Sequence, residues 1–313
     1  MNRQPAPLAA PRAARPVPAW ARPCAPTQEL AEAAFCAGAA LASLDALVRA
    51  DATHAGAWRQ RLALTAAAAS MSVIGRGEDE AMLRDAWCLR RPGDDPGPAG
   101  RVLGAWRRQV QRSARLDPAM VAATAVELGP LVDSEAICAA GAAVLASRQP
   151  AILAAAEMAA RVVALHPRAE LLALWLADQV LAARLSWPIP VPLLAGSLAH
   201  PALRAAGRRR ARPGEEGWPR TVAAAYALAA ARAVGLFADL ERRAATLQAV
   251  TPVLRARGAA AVVAVLLEED AMAPASAVGT MTDRGLRRLF DRLVGQGAVR
   301  ELTGRTTFRL YGL

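Results

Sequence analysis

The chain has 313 residues, of which 54% are apolar but only 4% aromatic, and it carries a formal net charge of +11. That length buries a core without disulfide or metal staples and suggests about two domains. The four cysteines (Cys24, Cys36, Cys88, Cys138) form no CxxC and no Cys/His cluster, which argues against a zinc site or a disulfide framework and fits a reducing cytoplasm.

All 38 basic residues are arginine. Arginine- and alanine-rich codon usage accounts for the missing lysine but not for the excess of base over acid, which favours a polyanionic partner, nucleic acid above all. Alanine is the strongest helix former and the poorest source of buried area, so many closely packed helices are expected.

Residues 1–26 are rich in Pro, Ala and Arg and lack the apolar stretch of a signal peptide; they read as a disordered arm. From Thr27, a weak capping residue, Phe35, Leu41, Leu44, Leu47 and Val48 recur at helical spacing. Helices are predicted over 56–75, 78–89, 99–114, 117–128, 133–147, 151–165 and 168–185. Pro118 suits a first helical turn, and the proline-glycine run 91–98 reads as a rigid turn. One short helix is expected within 186–204. These elements make a helical domain over 27–206, followed by a linker (207–217), two connecting helices (219–233 and 236–250) and a terminal module (251–313). Apolar runs such as 62–74 read as too short to span a bilayer, so no membrane partner and a soluble, cytoplasmic protein are expected.

The module carries the strongest functional signal. Over 282–295, Leu286, Leu289, Phe290, Leu293 and Val294 fall on one helical stripe, opposite Arg284, Arg287, Arg288, Asp291 and Arg292. Thr282 is the expected N-cap, with Gly295 or Gly297 as the stop. Two β-type segments flank Gly304-Arg305 as a tight hairpin would require. With an apolar helix and a short turn-plus-helix of small residues upstream, the order is that of a winged helix-turn-helix. A cationic helix of this kind enters a major groove about 12 Å wide. Arg284, Arg287, Arg288, Arg292, Arg300, Arg305 and Arg309 are the expected DNA-binding residues.

The tail "RRLFDRLVGQGAVRELTGRTTFRLYGL" resembles the C-terminal winged module attached to many Fic-type proteins, through Leu289, Leu293, Gly297, Val299, Arg300, Glu301, Thr303, Gly304, Arg305, Arg309 and Tyr311. Together with "AFCAGAALASLDALVRAD" and "EDEAMLRDAWCLRRPGDDPGPAGRVLGAWR", it makes nearly the whole chain similar to the bacterial domain-of-unknown-function 1403 family. That resemblance implies a helical protein with a DNA-binding-like end and carries no activity.

Catalytic constellations are not evident. "HPRAELLALWLAD" from His166 keeps only the His-Pro of the Fic transfer motif and lacks its phosphate-holding glycines; it reads as a helix start. No GxSxG, HExxH or P-loop occurs. With three histidines, His54, His166 and His200, a metal cluster is not expected, nor any cofactor. Glu78, Asp79 and Glu80 read as helix-start carboxylates, Asp94-Asp95 as turn residues, and Arg84, Arg90 and Arg91 as partners for such acids. Trp58, Trp87, Trp106 and Trp175 read as core.

The expected architecture is mainly α: a multi-helix array with a small C-terminal winged helix-turn-helix carrying one β-hairpin. The expected function is duplex-DNA binding by a transcriptional or replicon-associated regulator, not an enzyme, with homodimerisation through the helical domain. The alternatives are a protein-interaction adaptor, or an enzyme centred on 78–98 with a pocket lined by Asp85, Arg90 and Asp94.

Overall fold

The computed structural model describes residues 15–22, 29–91, 93–203, 210–254, 258–274 and 281–313. Cys24, the Thr27 cap and most of the small-residue segment upstream of Thr282 lie outside them. Within the described residues the chain is mainly helical: α1 (Leu30–Val48), α2 (Ala55–Val73), α3 (Glu80–Cys88), α4 (Gly97–Gln109), α5 (Pro118–Leu128), α6 (Ser134–Ala146), α7 (Ala151–Leu165), α8 (Glu170–Arg184), α9 (Leu194–Leu198), α10 (Trp218–Val250), α11 (Ala259–Glu268) and α12 (Asp283–Gly295). The strands β1 (Arg300–Glu301) and β2 (Tyr311–Gly312) pair antiparallel, Arg300 opposite Gly312 and Glu301 opposite Tyr311.

Helix starts follow capping chemistry. Asp79, Asp117 and Asp133 each accept the backbone N–H three residues on, at 2.9, 2.9 and 3.0 Å, which satisfies a donor that the first turn leaves orphaned. Pro118 takes the first position of α5, as expected. Residues 15–22, within the expected arm, lie against α1 with Val17 and Ala21 buried.

The body is built on α1 and α10, which pack along each other through small side chains. Ala33, Ala37 and Ala40 on one helix and Ala223, Ala227 and Ala230 on the other are fully buried. Two helices were expected where α10 runs unbroken for 33 residues. Gly235 is the residue that misleads: it faces open space, and the buried Ala233, Val234 and Phe237 around it hold the helix on course. That packing outweighs the ~1 kcal/mol glycine costs a helix. Both α1 and α10 are also long and apolar enough, by length and composition, to cross a membrane, contrary to the expectation from the apolar runs. Here they form much of each other's burial.

Tryptophan supplies the volume that alanine lacks, and four buried indole N–H groups each tie two helices together. Trp58 donates from α2 to the Ala233 carbonyl of α10 at 2.9 Å, and Trp218 from α10 to Ala156 of α7 at 2.9 Å. Trp106 of α4 reaches Ser70 of α2 at 3.0 Å, and Trp175 of α8 reaches Ala105 of α4 at 3.2 Å. Buried indoles need such partners. Asp178 of α8 is a polar counterpart. It accepts from the Leu193 and Leu194 amides and from the Tyr226 hydroxyl, while burial pushes its carboxyl up to about 7.

The terminal module is locked to the body by ion pairs. Asp270, just after α11, is buried between Arg61 of α2 and Arg84 of α3, and Glu269 pairs with Arg107 of α4. Arg84 was expected to serve the neighbouring acids of 78–95 and is committed here instead. Gly56 makes room for Glu268, whose carboxylate occupies the space a Cβ would take. Gly312 is equally constrained, because a Cβ there would lie 2.4 Å from the Asp270 carbonyl oxygen, a backbone atom. Gly312→Ala is expected to destabilise the fold by about 1–3 kcal/mol, as overpacking does; an unchanged urea midpoint would contradict this packing.

Candidate nucleic-acid interface

The amphipathic helix expected near the C-terminus forms as α12. Thr282 caps it, its hydroxyl accepting the Gly285 N–H at 3.2 Å. It ends at Gly295, and Gly297, at φ +68°, turns the chain out of the helix. Leu286, Leu289, Phe290 and Leu293 are buried as the spacing predicts, and Val294 is exposed instead. Phe290 stacks on Tyr311 of β2, centroids 4.3 Å apart and rings nearly parallel. This contact fixes α12 against the hairpin.

The hairpin differs from the tight turn expected around Gly304-Arg305. Its strands are two residues each, joined by a nine-residue connection over 302–310, with Leu302 donating to Leu310 at 2.8 Å. Glu301 organises the near side of the connection by accepting from the Thr303 and Gly304 amides at 2.7 and 2.8 Å. Strand pairing also reaches back beyond the hairpin. Met272 and Tyr311 exchange two backbone hydrogen bonds of 2.9 Å, adding a bridge from the segment after α11 to the far side of β2.

The seven expected arginines separate into three groups. Arg284, Arg287 and Arg288 project from the exposed face of α12. Arg287 also meets Asp283 at 3.3 Å, with both side chains more than half exposed, a pairing that water and salt readily replace. Arg292 and Arg300 are exposed as well; Arg292 reaches the Val253 carbonyl at 3.4 Å, and Arg300 lies near Arg243 of α10, whose pKa is lowered by burial first and then by the Arg300 charge.

Arg305 and Arg309 form the third group. Arg305 makes a two-pronged pair with Asp85 of α3 at 2.7 and 2.6 Å, a bond that raises its pKa. It also donates to the Phe308 carbonyl at 3.0 Å, and Arg309 donates to the carbonyl of Arg305 at 3.0 Å. The connection is therefore folded back on the body and leaves Phe308 exposed in the left-handed region at φ 53°. Asp85→Asn is expected to release it. Backbone amides over 302–310 should exchange several-fold faster while the melting temperature stays put, since the pair lies at the surface. Unchanged exchange would show that Arg305 does not hold the loop.

Among the described residues of 78–98, several polar groups are engaged in local contacts. Glu80 accepts from Thr65 at 2.7 Å, Asp79 caps α3, and Asp94 accepts the Arg91 N–H at 3.2 Å. Arg90 stacks over Trp87 at 4.6 Å. The Cys88 thiol is pushed up to about 12 by burial and the nearby Asp270 charge, the opposite of a nucleophile's tuning. His166 follows α7 rather than starting a helix, and its Nε2 accepts the Asp133 N–H at 3.0 Å. Among the described residues no group of three or more His, Cys, Asp or Glu is placed to hold a metal.

The fold and site thus define a mainly α-helical protein ending in a two-stranded antiparallel hairpin beside an arginine-bearing helix. The chain belongs to the family described as "Protein of unknown function (DUF1403)", which it matches over residues 9–313. Compared with proteins of curated function, it matches none.

Proposed function

We propose that this protein binds duplex DNA through a winged helix-turn-helix at its C-terminal end and acts as a transcriptional or replicon-associated regulator. The observation that carries the reading is the joint outward presentation of Arg284, Arg287 and Arg288 on α12, with the opposite face of the helix anchored on Tyr311 of the hairpin. A 13-residue helix is about 20 Å long, enough to lie in a major groove and set guanidinium groups against phosphates and guanine edges. The chain order α11, Met272, α12, β1, β2, with Met272 and β1 both paired to β2, supports this reading; the short turn-plus-helix expected before Thr282 lies mostly outside the described residues. Arg305 would join the contact once freed from Asp85. A cytoplasmic setting and homodimerisation through the helical body go with this reading, and an exposed Phe308 is what favours the adaptor alternative.

The test uses the full chain, because α10 is part of the body's core and a C-terminal fragment would leave it unsupported. Fluorescence anisotropy with a labelled random-sequence duplex should show binding that weakens steeply as salt rises, as phosphate contacts require. No binding even at low salt would leave the adaptor reading in place.

A further inference from the structure

A cavity of about 590 Å³ opens between the end of α4, the connection that follows it, α5 and α8, well within the range of small-molecule sites. Its rim is cationic. Arg112 and Arg115 are exposed there without a hydrogen bond or ion pair among the described residues, while Arg108 already pairs with Glu127. The one rim carboxylate, Asp117, is occupied in capping α5 through the Met120 amide at 2.9 Å.

The interior is mostly apolar, with two amides and the side chain of Thr124 as its buried polar groups. Met120 and Trp175 form walls. Gln109 and Gln179 also line the cavity and are 1% and 3% exposed. Gln109 donates its Nε2 to the Trp175 carbonyl at 2.8 Å, which fixes the amide's orientation and leaves its Oε1 without a partner. The Oε1 of Gln179 is also unpartnered. Buried acceptors in this state cost free energy that a ligand's N–H or O–H would recover.

We infer that this cavity is a binding site for a small amphipathic organic anion: a flat apolar body, an N–H or O–H group directed to Gln109 and Gln179, and a carboxylate or phosphate head held by Arg112 and Arg115. The site is remote from α12 in sequence and does not depend on the DNA-binding reading; in a regulator it is where an effector would act. An anionic head suits the site because, among the described residues, no carboxylate pairs with the two rim guanidiniums. The donor is needed because the two amide oxygens are otherwise left unmet.

Two fluorescent probes that differ in one group test this with the intact protein. 8-Anilinonaphthalene-1-sulfonate carries a flat body, an N–H and an anion; N-phenyl-1-naphthylamine lacks only the anion. The sulfonate is expected to bind saturably, one per chain, and about tenfold or more tighter than the neutral probe, the scale of a charge-assisted contact. Arg112→Ala combined with Arg115→Ala should remove that preference while leaving the neutral probe's affinity unchanged. Ala123→Trp, a larger side chain on the exposed lining, should block both. Competition with 1-naphthoate and with 1-naphthyl phosphate then distinguishes a carboxylate from a phosphate head. The inference is overturned if the sulfonate does not saturate, if neither competitor displaces it, or if the arginine variant, folded by circular dichroism, keeps the parent's preference.

Discussion

Replacing Asp270 with alanine is expected to lower folding stability by about 3–5 kcal/mol, because it strands the largely buried guanidiniums of Arg61 and Arg84 without their shared counter-charge. For a chain of this size the loss corresponds to a fall in melting temperature on the order of 10 °C. Asp270 is 4% exposed and receives Arg84 Nε at 2.6 Å and a direct ion pair from Arg61, which also donates to the Asp270 backbone carbonyl at 3.1 Å. Burial alone would raise its pKa, but the charges of Arg61 and then Arg84 outweigh burial and hold it below the usual aspartate range. A carboxylate whose folded pKa is depressed contributes stability that is present above its unfolded pKa of about 3.9 and lost as pH falls through the folded value. The parent should therefore lose stability below about pH 4 more steeply than Asp270→Ala does. Replacing Arg61, Arg84 and Asp270 together with apolar residues should recover most of the loss, since the damage lies in the unpaired charges. Denaturation of the three proteins from neutral to acid pH checks this; an alanine variant as stable as the parent would contradict it.

The second large effect concerns DNA. Substituting Arg284, Arg287 and Arg288 together by alanine should reduce the steepness of salt dependence by nearly one log–log unit for each phosphate contact removed. Three contacts make the affinity gap between parent and variant roughly fortyfold wider at about 50 mM than at about 200 mM salt. All three side chains are exposed, and away from buried features such substitutions stay within about 0.5 kcal/mol of the parent's stability. A binding loss is thus separable from unfolding. If the slopes coincide, α12 does not face the phosphates. If only Arg305 and Arg309 variants change the slope, the hairpin connection carries the contact instead.

The parts of this molecule that follow a local rule could be read from the sequence. Thr282, the four buried apolar residues of α12 and the stop at Gly297 form a pattern set within one stretch of chain by helical period and capping. The helices over 117–128, 133–147 and 151–165 were legible for the same reason. What failed was any feature decided by a distant partner. A break was expected between 233 and 236, where Gly235 sits, but local propensity was overridden by packing of α10, with Trp58 of α2 bonded to Ala233 and set edge-on to Phe237. Arg84 sits among the acids of its own segment yet pairs with Asp270, 186 residues away. Asp85 was a candidate for a catalytic pocket and holds Arg305 across 220 residues. Residues 210–212 looked like free linker, and Arg210 and Arg212 both grip Glu170 of α8. Charge composition announces that arginines seek anions; only the fold says which anion each one finds.

The proposal that α12 faces DNA is tested most directly by contact itself. A photoreactive phenylalanine analogue placed at position 288 of the full chain should crosslink to a labelled duplex upon irradiation, and unlabelled duplex in excess should compete the adduct away. The same group at position 126, exposed on α5, should give no such adduct. Equal crosslinking at both positions, or none at 288 under low salt, would contradict the account.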